Sequence, residues 1–223
     1  MAWPSRTTIV DNTAFVPLAP QRAPAMSLIL ASGSPYRKAM LARLRLPFRT
    51  ISPDVDESPR EGETPAAMAL RLSVAKALTV AERNPGAVVI GSDQVATFQG
   101  RKIGKPGGFE KAREQLLSFS GQTVEFHSAL CVTDGRRQET RDVVTFCRFR
   151  QLSEEAIETY LRLEQPYDTA GSAKAESLGI TLMDSMQSDD PTAIIGLPLI
   201  ALSQMLRQFG IDPLIPGSVP AEG

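Results

Sequence analysis

Histidine is almost missing from this chain, and several common ways of building an active site are excluded with it. One histidine, His127, stands among 223 residues, whereas Ser-His-Asp triads, Cys-His pairs and His-rich zinc centres each need histidine beside a partner. His127 lies in Val124-Glu125-Phe126-His127-Ser128-Ala129, a strand-like alternation, and reads as a structural side chain. Carboxylates and a hard metal ion are what remain for catalysis. Cysteine is nearly as scarce: Cys131 and Cys147 both fall in β-like runs, which suits reduced core thiols in a cytosolic protein better than a disulfide framework. Long apolar runs are lacking too. The stretch over residues 193–202 is broken by Gly196 and Pro198 and falls far short of the ~20 residues a membrane span requires. A soluble, cytoplasmic protein with no membrane partner is therefore expected. Net positive charge is also absent, with Lys plus Arg at 24 against 25 for Asp plus Glu. No global field exists to hold a nucleic-acid backbone, so no nucleic-acid partner is expected and any anionic ligand must be met by a local cluster.

What is present is the composition of an ordinary globular protein, 42% hydrophobic and 22% charged, with no break that calls for a second domain. Residues 1–26 contain Pro4, Pro17, Pro20 and Pro24 without apolar periodicity and read as a disordered extension, with Met26 as an alternative start. Ordered patterning begins at Ser27 and defines one domain over 27–212, followed by a disordered tail over 213–223. Within it strands and helices alternate. A strand at residues 28–31 leads through Ser-Gly-Ser into a helix opening at Pro35, with a second strand near 48–52. Thr64 and Pro65 start a helix with Met68, Leu72, Ala75 and Leu78 at helical spacing, and residues 87–93 form a buried strand that ends in Asp93. A helix around residues 109–119 precedes two long strands around Cys131 and Val144, joined at Asp134-Gly135. Ser153 caps a helix that stops before Pro166, and Leu199, Leu202, Leu206 and Phe209 mark the last one. The fold class is α/β, a mixed twisted sheet flanked by helices.

Several clusters can carry chemistry. Residues 31–38 run from a strand through small residues into a helix N-terminus, where backbone N–H groups are free. Arg37 and Lys38 occupy that first turn, although a cation there costs a few tenths of a kcal/mol up to about 1. A bound polyanion removes the conflict; the pair can also be read as exposed residues that tolerate a small penalty. The acidic loop Pro53-Asp54-Val55-Asp56-Glu57, followed by Lys76 between two alanines, offers hard oxygen ligands for Mg²⁺ or Mn²⁺. It can equally be a solvated acidic loop, with Lys76 snorkelling at a helix edge. Asp93 at the end of Val88-Val89-Ile90-Gly91-Ser92-Asp93 sits where open α/β sheets place ligands and is the best candidate for a catalytic base, the alternative being a turn cap. Gly100-Arg101-Lys102-Ile103-Gly104-Lys105-Pro106 has neither the spacing nor the hydroxyl residue of a Walker loop, yet Lys105 can supply one charge to a phosphate.

Taken in order, Ser32-Gly33-Ser34-Pro35, Val55-Asp56-Glu57, Ser92-Asp93-Gln94, Gly104-Lys105-Pro106, Ala170-Gly171 and Gly196-Leu197-Pro198-Leu199 resemble the Maf family of nucleoside triphosphate pyrophosphatases across residues 27–210. Asp168-Thr169-Ala170-Gly171-Ser172-Ala173-Lys174-Ala175-Glu176 and Asp189-Asp190-Pro191-Thr192 are similar to its 7-methyl-GTP branch; the dTTP/UTP branch typically carries glutamine where Glu176 stands. The resemblance implies a Maf/ITPase-like fold with a central substrate cleft, and hydrolysis of the α–β phosphoanhydride to a monophosphate and pyrophosphate. It implies Asp93 as proton acceptor and Tyr36, Gln94 and Glu176 as residues of substrate choice. Ser32, Ser34, Arg37, Lys38, Lys76 and Lys105 are implied around the phosphates, with Glu57 and Asp93 at a divalent metal. A homodimer is also implied. Two residues depart from the family pattern: Tyr36 replaces a common Arg or Trp, and Lys38 replaces a frequent Arg and loses its bidentate fork. Action on dTTP, UTP or deaminated purine nucleotides is the rival enzymatic reading, and a non-catalytic nucleotide-binding regulator of cell division is the rival of another class.

Overall fold

Leu28-Ile29-Leu30-Ala31 is apolar at every position, the pattern of a strand covered on both faces, and it forms β1 (Leu28–Ala31), buried throughout. The computed structural model describes residues 27–219. The extension expected over 1–26, the question of Met26 as start, and the last four residues of the expected tail lie outside the described residues. β1 pairs in parallel with β2 (Arg49–Thr50) on one side and β3 (Val88–Phe98) on the other. β4 (Arg101–Ile103) folds back onto the end of β3, while β5 (Thr123–Thr133), β6 (Gln138–Phe149) and β7 (Met183–Gln187) continue antiparallel beyond it. The result is an open seven-stranded mixed sheet in the order β2-β1-β3-β5-β6-β7 with β4 beside β3, flanked by α1 (Pro35–Ala42), α2 (Pro65–Ala81), α3 (Phe109–Phe119), α4 (Glu154–Glu164) and α5 (Leu199–Gln208). The α/β expectation holds.

Side chains alternate along a strand with period two, and here the alternation separates two layers. Ile29, Ala31 and Val89 pack with Ala77 and Val80 of α2. On the opposite face Leu28, Leu30, Val88 and Ile90 pack with Met40 and Leu41 of α1 and with Leu202 and Leu206 of α5. Farther along that face, Ala96, Val124 and Phe126 meet Leu116 and Phe119 of α3 and Ile157 and Leu161 of α4. Two helix pairs thus share one face end to end. Between them the sheet presents polar residues, Ser92 and Gln94 on β3 and Ser128 on β5, the last two in register.

β3 is longer than the sequence suggests. It runs on to Phe98, so Asp93 stands mid-strand and not at its end. Pairing with β1 stops at Gly91, pairing with β4 begins at Ala96, and β5 follows β3 without a break. One edge of β3 is therefore open over residues 92–95, which interrupts the pairing in the middle of the sheet. The polar Ser92-Asp93-Gln94 reads as a strand end only because its partners lie far away in the chain.

The inward face of α2 also differs from the apolar spacing. Met68 and Leu72 are buried as expected, but Ser73, Lys76, Ala77 and Val80 complete the face, Ala75 is only partly covered and Leu78 is 36% exposed. Small residues are needed because α2 lies very close to β3: a Cβ on Gly91 would stand 2.1 Å from the Ser73 carbonyl oxygen and 2.8 Å from Ala77 Cβ. At the C-terminal end, residues 213–219 form turns, and Val219 is buried in the α5 core.

Candidate active site

α1 starts where β1 ends. Ser34 is its N-cap, its hydroxyl accepting from the Arg37 N–H at 3.4 Å, and Pro35 takes the first position, where its missing N–H leaves nothing unsatisfied. Ser32 Oγ accepts from the Ser34 N–H at 3.1 Å. No acidic residue lies in the first turn. Arg37 Nε donates instead to the Gly196 carbonyl at 3.0 Å, and among the described residues its two terminal nitrogens have neither a hydrogen-bond nor an ion-pair partner. Burial pushes this guanidinium below its ordinary value, opposed by the charges of Asp93 and Glu57. A half-buried cation with an unoccupied fork is a ready anion site.

Lys76 reaches the same place from α2. It is 7% exposed, and its Nζ lies 2.7 Å from Asp93 Oδ1 and 2.6 Å from Glu57 Oε1. Of the two readings of Lys76, the snorkelling side chain at a helix edge is the one that fails, because Lys76 belongs to the buried face of α2. Glu57 is held below the usual carboxylate range first by the Lys76 hydrogen bond, with Lys105 and Arg37 adding to it against the cost of burial. The irregular segment bearing Glu57 is clamped to α2 by Arg71, which donates to both oxygens of Glu63 and to the Ser58 carbonyl. Of the three neighbouring acids, Glu57 is the one that lines the cleft; Asp56 accepts from the Ser58 N–H at 2.9 Å.

A cleft of about 740 Å³ gathers Ser32, Ser34, Tyr36, Arg37, Glu57, Lys76, Asp93, Gln94, Lys105 and Glu176. Arg37 and Asp93 thus share one cavity. Lys38, placed with the phosphate residues on sequence, is exposed and outside this lining. The reason is helical geometry: successive residues point about 100° apart, so a turn that aims Arg37 inward aims Lys38 at solvent. A larger hollow of about 920 Å³ beside β6 and α5 contains none of these groups.

Glu57 and Asp93 are hard oxygen donors, the type a magnesium ion uses when one or two carboxylates and substrate phosphates complete its shell. Their convergence on one ammonium shows that both carboxylates reach the same point. Among the described residues no group of three or more His, Cys, Asp or Glu is assembled; Glu57 and Asp93 are the two carboxylates that meet at Lys76.

The other end of the cleft is made by residues 168–176. Lys174 N–H donates to the Tyr160 hydroxyl at 3.1 Å, Ser172 Oγ to Gln115 Oε1 at 2.6 Å, and Leu178 N–H to Glu164 Oε2 at 3.2 Å. Tied in this way to α3 and α4, the segment brings Thr169, Ala170 and Glu176 to the rim, with Asp168 3.8 Å from Lys174 Nζ. Glu176 is exposed there.

Three features escaped the sequence reading. Ser92 Oγ donates to the Gly196 carbonyl at 2.9 Å; Lys102 and Asp168 add charges to the lining. Lys102 lay inside the lysine-containing loop already singled out, and only its register in β4 distinguishes it from Arg101. Gln94 lines the cleft, but its Nε2 donates to Ser128 Oγ and to the carbonyls of Ala193 and Ile194, which leaves its oxygen as the group without a partner among the described residues. His127 lies outside the lining and bonds Asp142 at 2.7 Å. Cys131 and Cys147 are buried free thiols, each pushed up to about 12 by burial.

The family model for Maf-like proteins matches residues 27–209. A protein of Bordetella avium (strain 197N) named 7-methyl-GTP pyrophosphatase is 71% identical over 187 residues, 84% of this chain and 95% of its own length. Proteins of the same name are 60% identical over 185 residues in Burkholderia lata, 81% of this chain and 88% of theirs, and 56% identical over 189 residues in Cupriavidus pinatubonensis, 84% and 95%. With a match that runs from β1 to the end of α5, the chain belongs to the Maf family.

Proposed function

We propose that this chain hydrolyses the α–β phosphoanhydride of 7-methyl-GTP, releasing the nucleoside monophosphate and pyrophosphate. The observation that carries the reading is the fork of Arg37, without a partner among the described residues, in the same cavity as Asp93. A polyphosphate supplies the missing anion, and Lys105, Ser32 and Ser34 line the path beside it. Asp93 engages Lys76 through Oδ1 and has Oδ2 to accept a proton from water. As that proton leaves, the water oxygen bonds the α-phosphorus, and the bond from the α-phosphorus to the bridging oxygen breaks, so pyrophosphate departs with that oxygen. Arg37, Lys76 and Lys105 offset the charge that develops. Glu57 and Asp93 are the residues suited to a divalent ion, Mg²⁺ or Mn²⁺, which when bound supplies Lewis-acid neutralisation of the phosphates.

For the base, Glu176 offers a carboxylate to the N1–H and N2–H₂ edge of guanine. N7-methylation makes the ring cationic, and stacking on Tyr36 is worth roughly 0.5 to 2 kcal/mol. Asp168 favours the same charge. The buried free thiols are consistent with a reducing, cytoplasmic setting, and a homodimer belongs to this reading, to be measured by light scattering.

The test is pyrophosphate release from purified protein given Mg²⁺ and a panel of methylated and unmethylated nucleotides, with and without chelator. Release should be greatest with 7-methyl-GTP and should stop on chelation. Glu176→Gln should lower the preference over GTP by up to about tenfold, because the positive charge that the carboxylate faces is carried by the methylated ring alone, while the N1–H and N2–H₂ donors are common to both nucleotides. Equal kcat/KM ratios for variant and parent would remove Glu176 from base selection, and no release with any nucleotide would leave a binding protein.

A further inference from the structure

We propose that Asp190 and Ser92 are positioning residues that hold the Gly196 carbonyl in place, and that this carbonyl aims Arg37 at the polyphosphate. The proposal rests on the phosphate reading of Arg37 given above.

Arg37 and Gly196 are 159 positions apart, and their bond is the only side-chain hydrogen bond Arg37 makes among the described residues. Whatever fixes that oxygen fixes the direction of the fork. Ser92 Oγ donates to the same oxygen at 2.9 Å, so both of its lone pairs are occupied. The preceding carbonyls are held too: Ala193 O accepts from Ser128 Oγ at 2.7 Å and Gln94 Nε2 at 3.1 Å, and Ile194 O from Gln94 Nε2 at 3.0 Å. Gly196 has φ +97°, a conformation that only glycine adopts readily. The polar waist of the sheet is thus spent on the backbone of one loop.

Asp190 closes that loop from behind. It is 2% exposed and lies outside the cleft lining. Its Oδ1 accepts from Thr192 N–H at 3.0 Å and Thr192 Oγ1 at 2.6 Å, and its Oδ2 accepts from Ile200 N–H at 2.6 Å and Ala201 N–H at 3.1 Å. Thr192 Oγ1 in turn accepts from Leu199 N–H at 2.7 Å. One buried carboxylate therefore caps α5 and pins the first turn of the loop, so both ends are tied to a single side chain. α5 has Pro198 as N-cap and no side-chain cap of its own, and a local cap would have served the helix without reaching Thr192. Capping alone does not explain this arrangement; a fixed Gly196 does.

The experiment is a double-mutant cycle with inorganic pyrophosphate as the probe, its affinity measured by calorimetry alongside kcat and KM. Asp190→Asn and Ser92→Ala, made singly, should each weaken pyrophosphate binding by about three- to tenfold, the range for one misaimed charge-assisted hydrogen bond, and leave the 7-methyl-GTP to GTP ratio unchanged. In an Arg37→Ala background neither change should weaken binding further, because the group it orients is gone. Thr192→Ser should keep the parental affinity and Thr192→Val should lose it. Additive losses in the Arg37→Ala background would overturn the positioning role. An Arg37→Ala variant that binds pyrophosphate as tightly as the parent would instead overturn the phosphate reading beneath it. If Asp190→Asn does not fold, Ser92→Ala decides the cycle.

Discussion

Lys76 serves two carboxylates from one buried nitrogen, and the two contacts differ in weight. Glu57 is 60% exposed on its side chain and solvent screens its pairing, whereas Asp93 is 10% exposed, where an ion pair is little screened and expensive to break. Asp93→Asn keeps an oxygen to accept from Lys76 but leaves that buried ammonium with Glu57 as its remaining charged partner, so it should lower the unfolding temperature while still folding, and kcat should drop by about 10²–10⁴-fold, the usual contribution of a general base. A variant retaining most of its turnover would remove Asp93 from that role. Lys76→Met keeps the volume and removes the cation, so it should do both kinds of damage. Loss of the charged partner of a buried carboxylate costs ~3–5 kcal/mol in urea denaturation, and turnover falls because the reacting carboxylate is no longer held.

At the level of elements, the approach of α2 to β3 sets where Lys76 stands. Gly91 permits it, since a Cβ there would meet the Ser73 carbonyl oxygen at 2.1 Å, and backbone cannot yield as a side chain can. Gly91→Ala should therefore cost ~1–3 kcal/mol through overpacking and, unlike an overpacked site remote from the cleft, should also lower kcat by shifting Lys76 relative to Asp93. Denaturation midpoint and turnover measured on the same variant check it; full activity with reduced stability would show that α2 adapts without moving the ammonium. The same contact explains a limit of the sequence. The caps at Thr64 and Ser153 were legible because each is a bond to a residue three positions on. The buried face of α2 was not, because Ser73, Lys76 and Ala77 are inside by virtue of Gly91 and Asp93 on another element. β3 seemed to end at Asp93 for the same reason: Ser92 and Gln94 find their partners about a hundred residues downstream, and no local pattern announces that.

Across the whole molecule, the cleft is a seam that passes through the sheet, with the two helix pairs on one face and α2, bearing Lys76, on the other, and the sequence named its charged residues more easily than the uncharged frame that aims them. Away from the seam, the long β5–β6 hairpin carries the one histidine. His127 Nδ1 pairs with Asp142 Oδ2 at 2.7 Å, while Asp142 Oδ1 is buried without a hydrogen-bond partner among the described residues, so this carboxylate relies on the imidazole. Asp142 raises the His127 pKa above its ordinary 6.5, first through that hydrogen bond, with Glu125 contributing at longer range and burial opposing. A group whose pKa is higher folded than unfolded binds its proton more tightly in the native state. Its contribution is therefore complete below pH 6.5 and is lost as the pH rises through the folded value. Stability measured by urea denaturation should decline over that alkaline interval in the parent, and His127→Gln should flatten this part of the curve, with the two proteins differing most at the acid end. The cleft contains no histidine, so turnover at temperatures well below unfolding should be unaffected by the same substitution. Parallel stability curves for parent and variant would show that the hairpin does not draw on the charged pair.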